Sequence, residues 1–306
     1  MIAKITILGT GALACLFGAR LAPHAEVVLL GSWPQGLAAI RRDGIRLDTT
    51  EGETRIKVRA TDAISDAGDA DLVLILVKSW QTDWAVRQAR QVLQDQGLAL
   101  TLQNGLGHYE ALRVEVGESR AVLGVTTQGA ALLAPGHVRF AGGGETLLGY
   151  DPVSMHRVTQ ISEAFSVAGF PTRVTSQIET ALWGKLAVNA GINPLTALLG
   201  VTNGGLLDRP DAEELMVSAA EEAAAVAAAH GLQLEPDAAT RVRDVARLTA
   251  SNRSSMLQDV GRGAPTEIEA ISGAVVRSGR RLGVPTPVNE VLWKLVRALR
   301  DAKIES

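Results

Sequence analysis

The 306-residue chain has only one cysteine, Cys15, which excludes an internal disulfide and suits a reducing compartment. It has no excess of positive charge. The formal net charge is −3, leaving no basic field for nucleic acid or an anionic membrane surface. No apolar run approaches the roughly 18 residues that a membrane-spanning helix needs. The short apolar run at the start, Ile5 to Leu8, leads into a glycine motif rather than a secretory cleavage site. The chain is therefore expected in the cytoplasm, with neither nucleic acid nor membrane as a partner. Its five histidines, His24, His108, His137, His156 and His230, are scattered without paired ligand spacing, so no metal is expected. A Gly-x-Ser-x-Gly nucleophile turn is missing too, as are internal repeats, low-complexity tracts and long linkers.

What is present is a balance of 46% hydrophobic and 21% charged residues, over a length that can fill two domains. The first half alternates strand-like and helix-like segments, the pattern of a parallel sheet covered by helices. Strands are expected at Ala3–Leu8, Glu26–Leu30, Asp71–Val77 and Leu98–Leu102, with a first helix over Ala12–Leu21. Asp71–Val77 is almost wholly apolar, as befits a central strand buried on both faces. Short strands around Pro135-Gly136 and the Gly142–Gly144 run predict a hairpin. After about Ser176 the text becomes helical, with Asp211 as a candidate N-cap of an alanine-rich helix that ends at Gly231. The expected fold is α/β: an N-terminal Rossmann-like, doubly wound parallel sheet over 1–176 and a C-terminal all-helical domain over 177–306. Small ligands commonly bind between two such domains.

Gly9-Thr10-Gly11-Ala12-Leu13-Ala14 lies between a strand and a helix, the context that a dinucleotide fingerprint requires. The first glycine allows a tight turn and the second lets backbone approach a pyrophosphate. A small third residue, Ala14, permits close helix–strand packing. The helix start offers free amides to the phosphates. The second strand ends Leu29-Leu30-Gly31-Ser32-Trp33, without the carboxylate that holds an NAD ribose. Ser32 could donate to a 2′-phosphate, and Lys78 follows another strand at the same edge of the sheet. These features favour NADP and leave NAD open. Asn104, in Asn104-Gly105-Leu106-Gly107, also sits at a strand's carboxyl end, where turn chemistry is the competing explanation.

The most informative stretch is Ala181–Gly200, which sets Lys185, Asn189 and Asn193 four residues apart in an apolar segment. Each such step rotates about 40° on a helix, so the three share a face provided that the helix reaches Pro194. An ammonium and two amides in apolar surroundings are costly unless hydrogen-bonded, which points to a pocket shaped for a polar ligand. Ser251–Gln258 supplies Asn252 and Ser255. Thr266 could cap a helix whose first turn holds Glu267. Nothing local requires these groups to meet Lys185.

Taken together, these segments resemble the ketopantoate reductase (2-dehydropantoate 2-reductase) family over nearly the whole chain. The likeness is carried by the Gly-x-Gly-Ala-Leu start at Gly9, Lys78-Ser79-Trp80-Gln81, Gln103-Asn104-Gly105, KLAVNAGINPLTAL from Lys185, SSMLQD from Ser254 and PTEIEAISG from Pro265. It implies an NADPH-dependent reduction of a 2-oxo acid, ketopantoate, in the biosynthesis of pantothenate and coenzyme A. Under it Lys185 polarises the ketone and gives the proton, and Glu267 assists at the reacting oxygen. Asn104, Asn189, Asn193, Asn252 and Ser255 hold substrate and nicotinamide. Gly9, Thr10, Gly11, Ala12, Leu13, Ser32, Lys78, Gln81 and Asn104 face the cofactor. One residue departs from the pattern: many members have an arginine for the 2′-phosphate where this chain has Ser32. Burial should lower the pKa of Lys185, with Glu267 pulling it the other way. Two rivals remain, an NAD(P)-dependent D-2-hydroxyacid dehydrogenase and a non-catalytic dinucleotide sensor. The face between Ala219 and Ala229 is expected to pack within its own domain, with a homodimer left open.

Overall fold

The computed structural model describes residues 2–302. The chain divides into two compact units, one of residues 1–103 and 108–178, the other of residues 104–107 and 179–306. The four-residue Asn104–Gly107 segment thus leaves the sequence neighbourhood of the first unit to join the second.

In the first unit the chain runs β1 (Lys4–Leu8), α1 (Ala12–Leu21), β2 (Glu26–Leu30), α2 (Pro34–Asp43), β3 (Ile45–Thr49), β4 (Gly52–Ile56), β5 (Arg59–Thr61) and β6 (Ala70–Ile75). It continues through α3 (Thr82–Val92), β7 (Leu93–Thr101), α4 (His108–Val116), β8 (Ala121–Thr126), β9 (Ala130–Ala134), β10 (His137–Phe140), β11 (Thr146–Gly149), α5 (Met155–Val167) and β12 (Thr172–Thr175). The main sheet has the order β12-β11-β8-β7-β6-β1-β2-β5. Strands β5, β2, β1, β6, β7 and β8 are parallel to one another, β11 pairs antiparallel with β8, and β12 is parallel to β11. This is the doubly wound arrangement, with ligands expected beyond the carboxyl ends of the strands. Leu72, Val73, Leu74 and Ile75 of β6 are fully buried, as a central parallel strand covered on both faces requires.

The Pro135-Gly136 hairpin forms as β9 and β10, but it also parallels β3. That places it in a second, four-stranded sheet, β4-β3-β10-β9, which the sequence pattern does not reveal. The pairing joins residues about ninety positions apart, and local alternation carries no trace of it. Aromatics make up only 4% of the chain. All four phenylalanines gather at one place: the Phe17 and Phe170 rings stack at 4.1 Å, Phe165 tilts against Phe17 at 5.4 Å, and the Arg20 guanidinium lies 4.3 Å over Phe140.

The second unit is helical: α6 (Ile178–Leu199), α7 (Pro210–Ala229), α8 (Ala238–Leu248), α9 (Ser255–Gly261), α10 (Ser272–Leu282) and α11 (Pro287–Ala302). Helix α7 begins one residue before Asp211, with Arg209 as N-cap and Pro210 in the first turn. Asp211 therefore acts in that first turn, where an acidic side chain suits the helix dipole, and not as the cap. Gly231 ends the segment at φ +79°, as expected for a residue after a helix. Ala219, Ala220, Ala223 and Ala227 are buried, so the alanine-rich face packs inside the unit. Gly191 lets α6 and α7 touch backbone to backbone, because a Cβ there would lie 2.6 Å from the Met216 carbonyl oxygen. No helix among the described residues is long and apolar enough to cross a membrane.

Candidate active site

In the first unit the residues of the glycine motif lie at the end of β1. Gly9 adopts φ +124°, and a Cβ on it would sit 3.2 Å from the backbone of Leu76, so only glycine fits without strain. Its amide donates to the Leu30 carbonyl at 2.8 Å, tying the loop to β2. Gly11 is the N-cap of α1, where a Cβ would meet nothing within 4 Å. The first turn of α1 has no side-chain cap and no acidic residue. Its amides and dipole therefore present an open, positively polarised surface that fits a dinucleotide phosphate. Thr10 is buried, Ala12 and Leu13 are half-buried, and Ala14 is fully covered against the sheet.

Gly31 lies so close to the loop that a Cβ would be 2.9 Å from Thr10 Cγ2. Ser32 follows, exposed, and its Oγ accepts from Gln81 Nε2 at 3.4 Å. Lys78 caps the start of a short 3₁₀ turn after β6 and Gln81 is its last residue, both half-buried. Gln103, quoted above only as part of a motif, fixes that turn. Its Nε2 donates to the Val77 carbonyl at 3.1 Å and to Thr82 Oγ1 at 3.0 Å, and Thr82 Oγ1 lies 2.9 Å from His108 Nδ1. Adjacency to Asn104 is the only sign of this role in the sequence.

In the second unit α6 passes through Pro194 and continues to Leu199. The condition for Asn193 to share a face with Lys185 and Asn189 is met. Proline withholds the amide that would bond the carbonyl four residues back, yet packing keeps the helix intact. Asn193 is buried, while Lys185 and Asn189 retain part of their surface. Desolvation lowers the Lys185 pKa from 10.5 to about 8, opposed by the charge of Glu267. Glu267 is 4% exposed. It stands on a turn before α10, not in a helix. Its carbonyl accepts the amides of Ala270 and Ile271 at 3.0 and 3.1 Å, and α10 starts only at Ser272. The cap expected of Thr266 does not form, because the chain folds back through these turn bonds first.

Asn104 reaches the same carboxylate, its Nδ2 standing 3.5 Å from Glu267 Oε2. Backbone contacts hold its segment there. Leu106 donates its amide to the Ala270 carbonyl at 3.0 Å, and Gly105, at φ +93°, passes so close that a Cβ would be 2.2 Å from that same oxygen. Lys185, Glu267 and Asn104 therefore form one charge-coupled group. Among the described residues no side-chain hydrogen bond joins Asn189, Asn193, Asn252 or Ser255 to it. Asn252 is exposed, and its carbonyl accepts the amide of Asn203 at 2.9 Å.

The serine pair divides its work. Ser254, not Ser255, is the N-cap of α9, accepting from the Leu257 amide at 3.1 Å and lying 2.7 Å from Thr196 Oγ1 of α6. Ser255, next in the chain, is half-buried at the helix start. The histidines were not all isolated: His137 Nε2 lies 2.8 Å from Asp48 Oδ1, with Glu53 nearby, because β10 pairs with β3. The Glu53 carboxylate is taken by Arg46 at 2.5 Å.

The chain matches the family model described as ketopantoate reductase PanE/ApbA over residues 5–152, and the model of that family's C-terminal part over residues 177–300. A curated 2-dehydropantoate 2-reductase of Halobacterium salinarum is 42% identical, the match covering 97% of this chain and 99% of that protein. Among solved structures, a PanE/ApbA family ketopantoate reductase of Ralstonia eutropha JMP134 superposes with a TM-score of 0.89 at 35% identity, over 98% of this chain and 99% of the other. A D-mandelate dehydrogenase, solved with NADH and anilino(oxo)acetate, gives a TM-score of 0.93 at 25% identity over 98% of both chains. With matches that span both units, the chain belongs to the ketopantoate reductase family of oxidoreductases.

Proposed function

We propose that this enzyme reduces 2-dehydropantoate to pantoate with NADPH, in the biosynthesis of pantothenate and coenzyme A. Residues 1–176 are the dinucleotide-binding part in this reading, and residues 177–306 hold substrate and catalytic groups. The observation that carries it is the Lys185–Glu267–Asn104 group, in which desolvation sets the lysine at about 8 beside a buried carboxylate. The reduced nicotinamide supplies a hydride to the C2 carbon of the 2-oxo acid. Lys185 stabilises the negative charge that grows on the ketone oxygen and then protonates it, which a pKa near the working pH favours. Glu267 keeps enough of the lysine in its charged form, and Asn104 orients that carboxylate. Asn189, Asn193, Asn252 and Ser255 are neutral donors suited to the substrate's carboxylate and hydroxyl. The uncapped start of α1, with Gly9, Thr10, Gly11, Ala12 and Leu13, receives the pyrophosphate, while Ser32, Lys78 and Gln81 face the adenosine end. The lone buried cysteine suits a cytoplasmic setting, and the charge balance offers no nucleic-acid surface.

A second reading is a D-2-hydroxyacid dehydrogenase that uses NADH. It is favoured by the likeness to D-mandelate dehydrogenase and by Ser32. Steady-state reduction of ketopantoate, set beside 2-oxo acids with larger or aromatic side chains, separates the two. A clear preference in kcat/KM for ketopantoate is expected; a preference for phenylglyoxylate would replace the first reading with the second. Lys185→Ala should lower kcat by roughly 10² or more. Turnover within a few-fold of the parent would remove the lysine from its role.

A further inference from the structure

We propose that the corner beyond β2 and β5 makes this enzyme weakly selective between phosphorylated and unphosphorylated nicotinamide dinucleotides, because it meets the adenosine ribose with neutral groups. The inference rests on the dinucleotide-binding role given to the first unit above. Sites that discriminate place either a carboxylate at the end of the second strand, for the 2′-hydroxyl, or an arginine nearby, for a 2′-phosphate. Here β2 ends at Leu30, and Gly31 is pressed against Thr10 of the glycine loop, which fixes the direction of the chain into Ser32. The exposed Ser32 hydroxyl is met by the Gln81 amide, so the first polar groups at this corner are a hydroxyl and an amide. Either can donate to a phosphate oxygen or exchange hydrogen bonds with a ribose hydroxyl.

The neighbouring strand adds charge of both signs and neutralises it. The Gly31 amide donates to the Thr61 carbonyl at 3.0 Å, so β5 ends against the residue before Ser32 and Asp62 follows directly. An aspartate there would ordinarily repel a 2′-phosphate. Its carboxylate is instead bound by Arg41 Nη2 of α2 at 2.6 Å, which holds it below the usual carboxylate range. Two nitrogens of the arginine are engaged here, its Nε donating to the Ala60 carbonyl at 2.8 Å, so gripping a phosphate with that fork would cost it these bonds. Lys78, just after β6, is a further cation at this edge of the sheet, and it is a point charge without the fork that grips phosphate at two oxygens. One such contact gives a discrimination of roughly two- to tenfold, where a bidentate arginine would add a further tenfold or more.

Fluorescence titration of the intact protein with NADPH and with NADH measures the selectivity without any 2-oxo acid, so a wrong substrate assignment leaves the measurement unaffected. The parent should bind both, with Kd values within about tenfold. Ser32→Arg should move the ratio at least tenfold towards NADPH, and Ser32→Asp should move it towards NADH. Circular dichroism and the unfolding midpoint check that both variants are folded. A parent preference beyond about tenfold in either direction would overturn the proposal, as would folded Ser32 variants that leave the ratio unchanged. Failure of the parent to bind either dinucleotide would overturn the dinucleotide role itself and this inference with it.

Discussion

At pH 7 an ammonium with a pKa of about 8 is still about nine-tenths protonated; at pH 9 it is about nine-tenths neutral. If Lys185 gives the proton in the reductive direction, kcat/KM should be flat near pH 7 and fall about tenfold per unit above pH 8. A lysine in water would show that limb near 10.4, so the displacement of roughly two and a half units is the signature of desolvation. The informative perturbation is Glu267→Gln, which keeps the size of the buried side chain and removes its charge. The charge of Glu267 opposes the desolvation, so its loss should carry the limb further down, by about 1–3 units for a close partner. The assay is the initial rate of NADPH oxidation with ketopantoate, from pH 5.5 to 10, for parent, Glu267→Gln and Lys185→Ala. The alanine variant should lose the limb together with most of the rate. An alkaline limb that stays in place in Glu267→Gln, or moves to higher pH, would refute the coupling of these two groups.

Three further outcomes follow from the same geometry. Lys185→Met combined with Glu267→Gln removes a desolvated ammonium and a buried carboxylate with little change of volume and should raise the unfolding free energy at pH 7 by about 1–4 kcal/mol in urea titrations, at the expense of activity. The Lys185 pKa lies below its unfolded value, so its cost to the parent is fully present below pH 8 and is relieved as pH rises through about 8 to 10; the gap between parent and double variant should narrow over that window. Gly105→Ala would place a Cβ against the Ala270 carbonyl and push Asn104 away from Glu267, so kcat/KM should fall at least tenfold while far-UV circular dichroism is retained. Burial pushes the Cys15 thiol up to about 12; it should resist iodoacetamide at pH 8 in the native protein and react only in denaturant, and rapid native labelling would contradict that burial.

Much of the architecture was legible because it rests on local signals. The almost wholly apolar Asp71–Val77 run marked the central strand, which forms as Ala70–Ile75, and the glycine pair at Gly9 and Gly11 marked the turn that φ +124° confirms. Four-residue spacing set Lys185, Asn189 and Asn193 on one helix face, since α6 holds through Pro194. Several readings were displaced by contacts that no local window contains. The Thr266 cap gave way to turn bonds made by the Glu267 carbonyl, Asp211 to an N-cap at Arg209, and the isolated histidines to a β3–β10 pairing that sets His137 against Asp48. Ser254 and Gln103, adjacent to residues chosen for the site, proved to be the ones that fix its frame.

The sequence by itself determined the fold class, the glycine loop and the helix face that Lys185, Asn189 and Asn193 share, because each is written in the periodicity and chemistry of a few consecutive residues. Only the tertiary structure decided that Asn104, Lys185 and Glu267 form one group and that the lysine stands near 8. Both depend on how far a charge is withdrawn from water and on which residue, some eighty or more positions distant in the chain, is folded against it.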